Sequence, residues 1–182
     1  MSVTVRRATV ADAAAISHVR VASWRIAYDG LIAPEILDRL DADVETSRRV
    51  AGWERRHADP RTADLVAERA GEVVGWAALG PSETAELPHH GQLFAIYALP
   101  DAWGSGVGHA LISASETHLQ RSGYRQALLW VLDGNERAAE FYERHGWHED
   151  GATLVDDRML PHSPAHALHE RRRAKTLSTE IS

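Results

Sequence analysis

The chain has 182 residues, 44% of them apolar and 25% charged, which is room for one domain with a full core and too little for two. Its formal net charge of -6 argues against general affinity for nucleic acid. It has no cysteine, so disulfides, thiolate metal sites and cysteine nucleophiles are excluded together.

The first residues, MSVTVRRATVADAA, have no long apolar run and no cleavage pattern. No stretch approaches the roughly 18 apolar residues of a membrane span. A cytoplasmic protein without membrane contact is the expectation. Residues 3–8 alternate and read as a strand. Asp12 is placed to cap a helix that carries Ile16, Val19, Val21 and Trp24 on its apolar side and runs to about Tyr28. Asp29-Gly30 signals a turn, and Pro34 suits the first turn of a short helix with Ile36, Leu37 and Leu40. A third helical stretch covers residues 44–57.

Residues 64–69 and 73–79 flank Gly71-Glu72 and predict a hairpin. Residues 81–91 form a loop with Glu86, His89 and His90. The run LFAIYAL at 93–99 predicts a central strand covered on both faces, and Pro100 ends it. WGSGVG at 103–108 then opens a helix that Gly123 stops. Residues 125–132 predict a strand, and 135–145 an amphipathic helix with Ala138, Phe141 and Tyr142 inward. Residues 147–150 form a short strand, 153–163 a loop and 165–172 a last strand. Residues 1–173 therefore form one domain, and 174–182 a disordered tail. Arg171, Arg172, Arg173 and Lys175 read as a solvated basic edge. This order predicts an α/β (α+β) fold: a central mixed sheet of about six or seven strands with helices on both faces.

The glycine loop carries the first chemical signal. Its glycines let backbone approach a ligand, and its amides at a helix N-terminus favour an anion such as pyrophosphate. A P-loop requires Lys-Ser or Lys-Thr after the last glycine, and Val107-Gly108-His109 has neither. A dinucleotide fingerprint requires glycine where His109 stands. A tight turn without ligand is the remaining reading of the loop alone.

After the next strand comes NERAAEFYERHGW at 135–147. With IYALPDAWGSGVGHAL before it, the chain resembles the GNAT superfamily of acyl-CoA N-acyltransferases. The resemblance covers residues 3–172. It implies a GNAT fold with a splayed strand pair, mostly antiparallel pairing, and acetyl-CoA as cosubstrate. Backbone of Ile96, Tyr97 and Ala98 would hold the pantetheine arm. Amides of Trp103, Gly104, Ser105, Gly106, Val107, Gly108 and His109 would hold the pyrophosphate. Asn135 would contact the cofactor arm, and Tyr142 would lie near the sulfur and protonate the leaving thiolate. Trp103 departs from the Arg or Gln that relatives often carry.

Direct attack of an amine on a thioester requires no enzyme nucleophile, which agrees with the missing cysteines. A backbone N–H, for example that of Ala98, would polarise the carbonyl. The base is open. Gln92 stands where many relatives have Glu, and Gln cannot take a proton, so Gln92 would hold a water, or Glu86, His89 or His90 would act. Trp24, Tyr28 and Trp53 are candidates to line the acceptor site. The implied acceptor is a small-molecule amine such as a polyamine, an amino acid or an amine antibiotic, and the acidic chain leans weakly toward cationic ones. A protein N-terminus or lysine, a non-catalytic acyl-CoA-binding module and a nucleotide-binding protein are the alternatives. No metal site is expected: His166 and His169 would face opposite sides of a strand. Dimers are common in the family, and an exposed final strand offers a route to one.

Overall fold

The computed structural model describes residues 2–156 and 167–177. The chain opens with β1 (Val3–Arg7) and the helices α1 (Ala13–Ala27), α2 (Pro34–Asp38) and α3 (Ala42–Arg56). Three strands follow: β2 (Ala63–Arg69), β3 (Glu72–Pro81) and β4 (Gly91–Ala98). The second half alternates through α4 (Val107–Arg121), β5 (Gln126–Leu132), α5 (Glu136–Arg144), β6 (His148–Asp156) and β7 (Leu168–Thr176). The seven strands form one sheet in the order β1-β2-β3-β4-β5-β7-β6. Every neighbouring pair is antiparallel except β4 and β5.

Helices cover both faces. Ile16 and Val19 of α1 pack with Trp53 of α3 against Val66, Trp76 and Ala78. Full burial of an aliphatic side chain of that size contributes about 1.5–3 kcal/mol. On the other face Val107, Leu111, Ile112 and Leu119 of α4 join Tyr142 and Trp147 over Leu65, Leu79, Leu93 and Leu129. Two glycines bring α4 onto the sheet. A Cβ on Gly75 would come within 2.7 Å of Val107 Cγ1, and one on Gly91 within 2.8 Å of Leu119 Cδ2.

Several elements differ from the sequence expectation. Asp12 does not cap α1 with its side chain. It closes a short 3₁₀ turn whose N-cap is Thr9, and its carboxylate pairs with the Arg6 guanidinium, which holds it down at about 2. A carboxylate partner satisfied by Arg is worth more there than an exposed helix cap. The strand after α5 is nine residues long rather than four, so residues 153–156 are strand and not loop. The last strand extends to Thr176 and buries Leu177, so residues 174–177 belong to the sheet and not to a tail. The rest of the expected tail, 178–182, lies outside the described residues, as does His166.

The final strand is also not exposed. β7 lies between β5 and β6, and the sheet edges are β1 and β6. The basic cluster on β7 is accordingly paired rather than solvated. Arg173 is buried and meets Glu143 and Glu149, Lys175 meets Glu116, Arg172 meets Asp150 and Arg171 meets Asp133. An interior strand flanked by two others has no room for unpaired charge.

Gly75 provides a check on the α4 packing. Gly75→Ala forces Val107 or Leu111 off its rotamer, and we expect a loss of about 1–3 kcal/mol, read as a lower urea midpoint with unchanged slope.

Candidate functional site

Among the described residues β4 and β5 are the only parallel neighbours, and they stay paired for three positions, Gly91↔Ala127, Gln92↔Leu128 and Leu93↔Leu129. Beyond Leu93, β4 continues on β3 to Ala98, while β5 continues on β7 to Leu132. The register between β3 and β4 shifts at the same place, from Ala78↔Ala95 to Leu79↔Leu93, so Phe94 is the extra residue of a bulge. A bulge bends its strand and increases its twist. The two strands part there, and a cleft of about 1400 Å³ opens between them.

The edge of β4 faces this cleft with backbone. Leu99 N–H donates to Val74 O at 2.9 Å. By strand alternation Leu99 and Tyr97 turn their polar backbone to β3, and the N–H groups of Ile96 and Ala98 point to the side that β5 has left. The Ala98 carbonyl accepts from Ser23 Oγ and from Trp103 Nε1, each at 2.8 Å. Tyr97 adds its ring instead of its backbone: it faces α1, stacks near Trp76 and has its hydroxyl 3.4 Å from that of Tyr28.

The glycine loop closes one end of the cleft. Gly104 (φ 72°) and Gly106 (φ 88°) adopt the left-handed region that favours glycine. Gly106 is the N-cap of α4, no side chain caps the helix, and the first intrahelical bond runs from Ala110 N–H to Gly106 O at 3.0 Å. The amides of Val107, Gly108 and His109 precede that bond and form a helix N-terminus suited to an anion. The third glycine has another task. A Cβ on Gly108 would lie 3.1 Å from Phe141, so this glycine lets α5 pack on α4. Val107 drives its side chain into the core, and Ser105 Oγ bonds its own turn at Ala102 O, 2.6 Å away.

Trp103 ties the loop to β4 through Ala98, and the Arg137 guanidinium of α5 sits 3.4 Å over its ring. Arg137 lines the cleft, and partial burial lowers its pKa. The loop's missing cation is therefore matched by one from α5. His109 Nδ1 is 3.1 Å from His145 Nε2, and His145 Nδ1 is 2.7 Å from Phe141 O. With His145 neutral, its Nδ1–H donates to that carbonyl and its Nε2 accepts from His109.

Asn135 caps α5: its Oδ1 accepts from Ala138 N–H at 3.2 Å, leaving its amide NH₂ on the cleft side. Tyr142 is buried at the cleft wall. Burial first, then the neighbouring Tyr97, push its phenol above the ordinary range against a smaller opposing effect of Arg173. It is a proton donor, not a phenolate, near neutral pH.

Gln92 is buried, and its Oε1 accepts from the backbone N–H of Glu83 at 3.0 Å. It therefore holds the β3–β4 loop in place. Glu83, which no sequence motif singles out, lines the cleft together with Glu86. His89 and His90 do not line it. Trp24 and Tyr28 do, but Trp53 lies beneath α3 in the core. Among the described residues no group of His, Asp and Glu is arranged to hold a metal ion, and no helix is long and apolar enough to cross a membrane.

The model of the acetyltransferase (GNAT) family matches residues 27–147. The uncharacterized N-acetyltransferase YuaI of Bacillus subtilis is 29% identical over 133 residues, 73% of each chain. Mycothiol acetyltransferase of Frankia alni is 36% identical over 111 residues, which is 57% of this chain and 32% of that protein. The crystal structure of PaiA N-acetyltransferase from Thermoplasma acidophilum in complex with coenzyme A shares the fold. Its TM-score is 0.72 at 18% identity, over 97% of this chain and 99% of that one.

The Tyr142 environment is open to titration. A phenol whose native pKa is raised keeps its proton while the unfolded chain loses it. Its contribution to stability is thus full below about pH 10 and is lost as pH rises further. We expect folded wild type and Tyr142→Phe to develop the same phenolate absorbance up to about pH 11, and to differ by one tyrosine once unfolded.

Proposed function

The chain belongs to the GNAT acetyltransferase family and is an acetyl-CoA-dependent N-acetyltransferase, and from that premise we propose that its acceptor is the primary amine of a small molecule. The observation that carries the site reading is the β4–β5 gap, bordered by the α4 N-terminus and by Tyr142. The residues present fit coenzyme A. The amides of Val107, Gly108 and His109 offer a pyrophosphate cradle, whereas the Trp103 and Ser105 amides donate to Pro100 and Ala102, and Arg137 over Trp103 adds positive charge beside it. The outward N–H groups of Ile96 and Ala98, with the Asn135 amide, suit the pantetheine arm.

The cosubstrate supplies an activated acetyl thioester. One proton leaves the acceptor ammonium to a base, and the free amine attacks the carbonyl carbon. The C–N bond forms, the C–S bond breaks, and the nitrogen gives up its second proton, which restores the one that Tyr142 loses. The thiolate gains one from Tyr142, whose burial keeps it protonated for that task. The Ala98 N–H is directed to meet the developing oxyanion. Glu83 is the group best suited to be the base, and Gln92 is a positioning residue that acts through the Glu83 amide. A small acceptor is supported by the end of the cleft that α1 and the loop after β3 border with Trp24, Tyr28 and Thr84. The name of the Frankia relative, a mycothiol acetyltransferase, points the same way.

Thermal melting tests the cosubstrate first. Acetyl-CoA at about 100 times its dissociation constant should stabilise the native state by about 2.7 kcal/mol, and ATP and NAD should not.

Substitutions test the roles. Tyr142→Phe should lower kcat by about 100-fold or more with acetyl-CoA affinity nearly intact. Glu83→Gln should lower kcat/KM by about 100-fold or more, and Glu86→Gln should leave it nearly unchanged. Loss of acetyl-CoA binding in Tyr142→Phe would instead make that tyrosine structural.

A further inference from the structure

A second hollow of about 830 Å³ adjoins the main cleft on the α1 and α3 side of the sheet. Arg20, Trp24, Arg56, Glu83 and Tyr97 line both, so the two are continuous where the acceptor would enter. The second hollow is cationic in a chain whose net charge is -6. Arg20, Arg48, Arg49, Arg55 and Arg56 border it, against the carboxylates of Glu45 and Glu83 at the wall and Asp64 buried behind.

The pairing within this group is incomplete. Arg20 is bonded to Glu45. The fully buried Asp64 accepts from Trp76 Nε1 at 2.7 Å and from Arg56 Nε at 3.1 Å, with His57 Nε2 also 2.9 Å away. Arg49 is left at 3.8 Å from Asp64. Among the described residues, neither Arg48 nor Arg55 has a carboxylate within ion-pair distance. Trp24 Nε1 and Arg49 Nε, on two of the residues that border the hollow, are buried with no acceptor, and a buried donor without a partner is costly. Burial and the nearby Arg56 and Arg20 depress the Arg49 pKa, which Asp64 and Glu45 only partly oppose. An arriving oxyanion would relieve that repulsion.

We propose that this hollow is an oxyanion subsite for the acidic group of the acceptor, so that the substrate is an amine that also carries a carboxylate or phosphonate. The inference rests on the acetyltransferase reading above and narrows it. Of the acceptor types weighed from sequence, it selects the amino-acid type over the polyamine. The ammonium end meets the acidic loop of Glu83 and Glu86, and the acid end meets the arginines of α3. Local charge, not net charge, decides which ion enters a cleft with low-dielectric walls.

Three measurements test this. Sulfate, titrated in the presence of saturating coenzyme A so that the pyrophosphate cradle is filled, should raise the melting midpoint of wild type, and much less that of Arg49→Gln. Thiol release should be followed for α-amino acids, their decarboxylated amines and the matching aminoalkylphosphonates. We expect kcat/KM at least about tenfold higher with the acid group than without it. Arg49→Gln should bring the two within about twofold, with the KM for acetyl-CoA unchanged. Arg55→Gln, an exposed position without an ion pair, should reduce the preference in the same direction even if Arg49→Gln does not fold. A response to phosphonates but not carboxylates would identify the phosphorus acid as the natural group. No sulfate effect, or equal turnover of the acid-free amines, overturns the subsite while acetyl-CoA binding stands. Failure of acetyl-CoA to bind overturns the acetyltransferase reading and this subsite with it.

Discussion

The parting of β4 from β5 is the constraint on which the rest of the molecule depends. A sheet normally satisfies every interior N–H and C=O across its ladders, and an unpaired strand edge in the interior is expensive. Here the pairing stops after three residues, at the bulge on Phe94. The protein covers part of the exposed edge itself, with Ser23 and Trp103 both donating to the Ala98 carbonyl. What stays open is a line of backbone donors leading to an uncapped helix N-terminus. The gap is thus the place where the sheet leaves backbone donors open to a cleft.

Around this gap the packing is close where position matters. Gly75 and Gly91 draw α4 onto the sheet, and Gly108 draws α5 onto α4. Of the three glycines in the loop, two shape the turn and the third serves helix packing, which places Tyr142 and Arg137 against the cleft. The Trp103 indole, held by Ala98 below and Arg137 above, fixes loop, strand and helix relative to one another. A Trp at this position gives rigidity that a flexible cationic side chain would not, and the cation is supplied from α5.

Charge follows a similar division. Over the whole chain acidic residues prevail, and the basic run on β7 is neutralised by Glu116, Glu143, Glu149, Asp133 and Asp150. Arg49 and Arg56 of α3 share one buried carboxylate, Asp64, while Arg48 and Arg55 have none within ion-pair distance among the described residues, which leaves positive charge beside the cleft. A net charge read from composition gives the opposite expectation for the acceptor, because it averages over pairs that cancel at a distance from the site.

Periodicity and turn residues determined most of the element order: the hairpin around Gly71, the apolar β4, the Pro34 helix and the glycine loop opening α4 are local features. So was the pairing of WGSGVG with NERAAEFYERHGW, because the turn and the two helices that it needs are specified over short stretches of chain. Residues 153–156 and 174–177 were less legible, since the strand they form is stabilised by partners across the sheet and not by its own pattern. The same holds for function. Gln92 could be seen in the sequence, but only its bond to the Glu83 amide brings a carboxylate into view. Trp24, Tyr28 and Trp53 are alike in sequence, yet two line the cleft and one lies in the core. β2 brings Asp64 to Arg49 and Arg56 of α3, a pairing that no local pattern announces. Sequence determined the elements, because helix, turn and strand preferences act between near neighbours. Only the tertiary structure decided which edge opens, which charges cancel and which donors remain without partners, because those depend on residues tens of positions apart meeting across one sheet.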